Sequence, residues 1–134
     1  MLRNMALLFG LIFVAVGVAG FFMLNPAGPT HPDMTMHHGE GMLLGLFPVN
    51  TLHNAVHILF GLYGLAASRS AGGAQGFFKF LFIAYALLAI LGLIPTTQTL
   101  FGYVPLHGND VYLHLGLALA GLYFGFVHKE GARS

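Results

Sequence analysis

The sequence contains no cysteine, so disulfides and thiolate metal sites are excluded. Charge is nearly as scarce. Lys, Arg, Asp and Glu together make up 7% of the 134 residues, where a soluble domain carries about 25%. So few charges cannot cover a water-facing surface. Five basic residues against four acidic ones also exclude the basic footprint that nucleic acid requires. The usual marks of catalysis are missing as well. There is no nucleophile motif around a serine, no HExxH and no phosphate-cradling glycine loop. Enzyme activity is therefore not expected.

What is present is apolar. Hydrophobic residues make up 57% of the chain, which makes the bilayer its natural solvent. Four apolar runs predict an all-α integral membrane protein, one domain over 1–134, with helices at about 5–24, 50–67, 77–94 and 109–127. No run is broken by proline. Pro26, Pro48, Pro95 and Pro105 stand at the ends instead. The first run is longer than the roughly 7–15 residues of a signal-peptide core and has no clear small-x-small cleavage site before Pro26. A retained helix is expected. The stretch from Ser68 to Gly76, "SRSAGGAQG", reads as a flexible connector.

Basic residues set the expected orientation. Arg3 precedes the first helix, Arg69 and Lys79 lie near the second connection, and Lys129 and Arg133 follow the fourth helix. Positive charge stays cytoplasmic, so both termini are expected inside a bacterial cytoplasmic membrane. The loop 25–49 then faces outward, as do the starts of helices two and four.

An internal repeat is legible. Aligning Pro48 on Pro105 places His53 on Asp110, His57 on His114, Gly61 on Ala118, Gly64 on Gly121 and Ser68 on Gly125. These positions recur every three or four residues, the spacing of one helix face. Aligning Pro26 on Pro95 relates helices one and three, with Ala15, Gly17 and Gly20 on Ala84, Ala86 and Ala89. The pattern predicts two tandem helical hairpins related by a pseudo-two-fold axis along the membrane normal. The small-residue stripes predict close packing, with helices two and four meeting along them.

The segments "GLFPVNTLHNAVHILFGLYGLAA" (Gly45–Ala67) and "NDVYLHLGLALAGL" (Asn109–Leu122) carry a further signal. Their Pro-Val-Asn, His-Asn-x-x-His and Asp-x-x-x-His patterns resemble the bacterial DUF4383 family, small four-helix membrane proteins of unestablished function. The resemblance covers about half the chain, from Gly45 onward. It implies the four-helix fold and no activity.

Packing along the stripes would gather His53, His57, Asp110 and His114 near the outer face. Three readings stay open. In the first the cluster is structural: Asp110 accepts from first-turn N–H groups, His57 and His114 bond across the axis, and Asn50, Asn54 and Asn109 act as caps. The protein would then be a structural or accessory subunit, working with other membrane proteins or with copies of itself. In the second, the three imidazoles and the carboxylate hold zinc, copper or iron, or His57 and His114 ligate a b-type haem. Met34, Met36, His37, His38 and Met42, with His31 nearby, add a weaker copper-type set in the outer loop. The third is ion or proton conduction, for which helices one and three offer no matching polar residues at depth.

Overall fold

The computed structural model describes residues 1–22, 41–43, 47–49, 51–97, 106 and 109–128. Four helices dominate: α1 (Leu2–Phe22), α2 (Thr51–Ala67), α3 (Ala71–Leu93) and α4 (Asn109–Leu122), the last continuing as a π-helical turn over Tyr123–Val127. Among the described residues, three stretches are long and apolar enough to cross a membrane: Leu2–Phe22, Ala71–Leu93 and Asn109–Val127. Helices suit that solvent because each satisfies its own backbone hydrogen bonds. The second helix is similarly apolar but has 17 residues.

Two elements differ from the sequence expectation. The connector between α2 and α3 is only Ser68–Ser70, and α3 begins at Ala71 rather than near residue 77. Ser70 causes this. Its extended backbone and side chain cap the helix, with Gly73 N–H donating to Ser70 Oγ at 2.9 Å. Gln75 Nε2 then donates to the Gly125 carbonyl at 3.1 Å, tying the glycine-rich first turns to the π-turn after α4. The segment between α1 and α2 also contains an antiparallel pair of three-residue strands, β1 (Gly41–Leu43) and β2 (Phe47–Val49), with Met42 opposite Pro48. The fold is thus helical with one small hairpin, which lies against α1 and α4.

The tightest pairs are α1 with α2 and α3 with α4. This corrects one expectation. The small-residue stripe of α2 packs on α1, and that of α4 packs on α3, rather than the two stripes meeting each other. A Cβ on Gly61 would lie 2.7 Å from the Gly10 carbonyl oxygen, and one on Gly121 would lie 2.7 Å from that of Phe78. Lipid gives no hydrophobic drive for helix association, so backbone approach of this kind supplies the attraction. Ala15, aligned with the α1 stripe by sequence, is exposed instead. On α1 the stripe runs through Ala6, Gly10, Phe13, Gly17 and Gly20.

Phenylalanine fills the half of the bundle away from the histidines. Phe9 meets Phe78 edge-on at 5.2 Å, and Phe78 lies 5.0 Å from Phe124, which links α1, α3 and the turn after α4. Such pairs contribute about 0.5–1.5 kcal/mol each beyond burial. At the same end Arg3 Nε donates to the Ser68 carbonyl at 3.0 Å, placing a cation at the C-terminus of α2. Lys79 extends over the Phe126 ring, 5.3 Å from its centroid. Leu11, Ile12, Leu59, Ile83, Ile90 and Leu119 are exposed and form an outer surface suited to lipid.

Candidate functional site

At the opposite end from Arg3, α2 and α4 begin and α1 and α3 finish. The polar residues of the repeat are all buried there: His53 and His57 on α2, Asp110 and His114 on α4. Each pair is one turn apart, so both members face the bundle interior. At about 1.5 Å per residue, His57 lies about 9 Å along α2 and His114 about 7.5 Å along α4.

The histidines come together. His53 stacks on His57, with ring centroids 4.5 Å apart and planes at 30°. His53 also meets His114 edge-on at 6.0 Å. His114 continues to Tyr85 of α3 at 5.3 Å, and Tyr85 meets Phe13 of α1 at 6.0 Å. All four helices therefore contribute to one aromatic and imidazole cluster.

One residue escaped the sequence reading and another takes a different role from the one expected. Tyr85, 2% exposed, is the polar group at depth that α3 had been expected to lack. The signal was a lone tyrosine aligned with Phe78, Leu81, Ala89 and Gly92 on the buried face of α3. Asn54, 1% exposed, is not a cap but a buried residue within α2. Its amide sits where a side chain on Gly20 would be, and its carbonyl lies 2.8 Å from a Cβ built on Gly17. The two α1 glycines form a slot for it, and the position of Asn54 one turn before His57 was the clue. Asn109, also expected as a cap, is exposed at the start of α4, and Asn50 lies outside the described residues.

The hydrogen bonds expected of a structural pin are not made. Among the described residues, both carboxylate oxygens of Asp110 and both ring nitrogens of His114 are buried without a partner, as are Nδ1 of His57 and Nδ2 of Asn54. The metal expectation fares no better. Among the described residues, no group of three or more His, Asp or Glu side chains is placed to hold a metal ion. The stacking of His53 on His57 gives the physical reason. Ring lone pairs lie in the ring planes, and two nearly parallel planes do not direct them to one centre. Of the weaker outer-loop set, Met42 falls in β1, where only the backbone is described, and Met34, Met36, His37, His38 and His31 lie outside the described residues.

Beside the cluster is a cavity of about 420 Å³ between α2 and α3. His53, His57, His114 and Tyr85 stand at one part of its lining, while Val56, Phe60, Phe80, Ala84, Leu87 and Leu88 make the rest apolar. Leu106, in the connection after α3, closes another side. Its carbonyl packs against Gly92, where any side chain would displace it. The volume falls within the range of about 300–1,000 Å³ typical of small-molecule sites.

No curated protein and no solved structure matches the chain. One family profile does, over residues 3–127, so the match takes in the first hairpin as well as the segments that suggested it. The histidine and aspartate pairs, the buried small-residue faces and the membrane-length helices all lie within the matched span, and the chain belongs to the DUF4383 family, described as a domain of unknown function.

Proposed function

We propose that the protein is an accessory module of the bacterial cytoplasmic membrane. In this reading all four helices span, both termini are cytoplasmic, and the outer third is a recognition site that the fold leaves incomplete. The orientation follows from Arg3, Arg69 and Lys79, which share the end away from the histidines. The two hairpins are related by a pseudo-two-fold axis. The pairs His53 and Asp110, His57 and His114, Gly61 and Ala118, and Gly64 and Gly121 are buried at matching positions, as such an axis requires.

The observation that carries the recognition site is the state of Asp110 and His114. They are 0% and 1% exposed, and among the described residues neither has a hydrogen-bond partner for any side-chain polar atom. A buried polar group without a partner destabilises a fold by about 1–3 kcal/mol. Groups kept in that state serve something other than the packing, and a bound molecule or partner group would satisfy them. Haem ligation by His57 and His114 is not adopted, because the ring of His53 stands against both and crowds the space a macrocycle would need.

Stability measurements test this. His114→Leu and Asp110→Leu remove unpartnered polar groups, so the empty protein in detergent should melt at the same temperature or higher. A structural pin predicts the opposite. A clear fall in melting temperature for both variants would sink the recognition reading.

A further inference from the structure

The cavity between α2 and α3 points to a class of ligand, and this inference rests on the recognition site proposed above. We infer that the cavity binds a neutral, hydroxyl-headed amphiphile dissolved in the bilayer, with the head at the imidazoles and the apolar body between Phe60, Ala84 and Leu88. Quinols and long-chain alcohols share that chemistry.

The apolar part of the lining comes first. Val56 and Phe60 of α2 and Phe80, Ala84 and Leu88 of α3 line it, with Phe60 and Phe80 in edge-on contact at 5.0 Å, so the body of a ligand meets hydrocarbon and ring surface. Leu87 lines the same cavity and is itself 55% exposed on the outer surface of the bundle. The cavity therefore reaches the face that contacts lipid. A molecule already in the bilayer can enter sideways without crossing water.

The polar part selects the head. His114 lines the cavity, is 1% exposed and has both ring nitrogens unpartnered among the described residues. A neutral imidazole presents one N–H donor and one lone pair. Nδ1 of His57, on the same lining, is unpartnered too. A head that both donates and accepts satisfies such groups, and a hydroxyl does both. A headless chain satisfies neither, and in hydrocarbon there is no water to stand in. An anionic head is disfavoured for a separate reason. Asp110 lies one turn before His114 on the same buried face, and among the described residues no lysine or arginine stands at this end. A carboxylate ligand would carry its charge into hydrocarbon there with no cation to offset it.

Size agrees with this reading. About 420 Å³ holds a ring or a bent chain segment but not a whole phospholipid, whose headgroup would also have to sit at hydrocarbon depth.

The experiment uses the full chain in phosphatidylcholine nanodiscs, photolabelled with a diazirine-bearing long-chain alcohol. Labelling should saturate at one site per chain, on peptides carrying Phe60 and Ala84. Unlabelled dodecanol or decyl hydroquinone should compete, and dodecane should not. Stronger competition by the hydroquinone than by dodecanol assigns a ring-headed ligand, and the reverse order an open-chain one; either supports the class. His114→Leu should weaken competition about tenfold, the factor for one lost buried hydrogen bond. Ala84→Phe fills the cavity and should abolish labelling. Val56→Phe fills it from the other helix and stands in if the first variant melts early. Equal competition by dodecane, or labelling unchanged in folded cavity-filled variants, overturns the inference. If His114→Leu melts no lower than the parent while ligand preference is absent, only the ligand class fails. If it melts markedly lower, the recognition reading fails first.

Discussion

The side-chain amide of Asn54 occupies the space that a β-carbon on Gly20 would need. One residue belongs to α2 and the other to α1, so this contact fixes how the first hairpin closes beside the histidines. Gly20→Ala should force the amide out of its slot and destabilise the protein by about 1–3 kcal/mol. Asn54→Ala should relieve much of that loss in the double variant. A double-mutant cycle of melting temperatures in detergent would measure the coupling. Additive effects would show that the slot is not what holds the helices.

Glycines elsewhere are not equivalent, which gives a contrast within one chain. Gly61 sits against the backbone of α1, where a Cβ would lie 2.7 Å from the Gly10 carbonyl oxygen. Gly116, mid-helix in α4, has nothing near its missing Cβ. Gly61→Ala should lower stability. Gly116→Ala should raise it by about 0.5–1 kcal/mol through backbone entropy alone. Both are read by thermal unfolding, and equal effects of one sign would contradict the packing described here.

Topology can be read cleanly because the chain has no cysteine of its own. Thr35→Cys in intact cells should react with an impermeant maleimide. Arg69→Cys, in the exposed turn between α2 and α3, should react only after the cells are opened. The reverse pattern would invert the proposed orientation.

Much of the fold could be read from the sequence because bilayer solvent imposes strong rules. Apolar length located the helices, and the recurrence of His53, His57, Gly61 and Gly64 located a buried face correctly. The same stripe did not reveal its partner. A glycine row says that a backbone comes close, but not whose, and α1 rather than α4 covers it. The start of α3 was missed for a local reason. Glycines at 72, 73 and 76 suggest a loop, but the Ser70 cap and the Gln75 bond to Gly125 hold the turn helical. In the candidate site, the four repeat residues were foreseen and their burial agrees. Their bonding was not, because whether Asp110 finds an N–H depends on side-chain direction, which spacing does not carry. Tyr85 was overlooked because a tyrosine in an apolar run looks like core.

The length of α2 has a mechanical consequence. Its 17 residues reach about 26 Å at 1.5 Å per residue, against a hydrocarbon thickness of about 30 Å. In the four-span arrangement, the membrane must thin beside this helix or its flanking residues must stretch to the interface. The hydrophobic mismatch falls on the same helix that carries His53, His57 and one wall of the cavity. Bilayer thickness then becomes a variable of the site: a thinner membrane relaxes the deformation around α2, and a thicker one increases it.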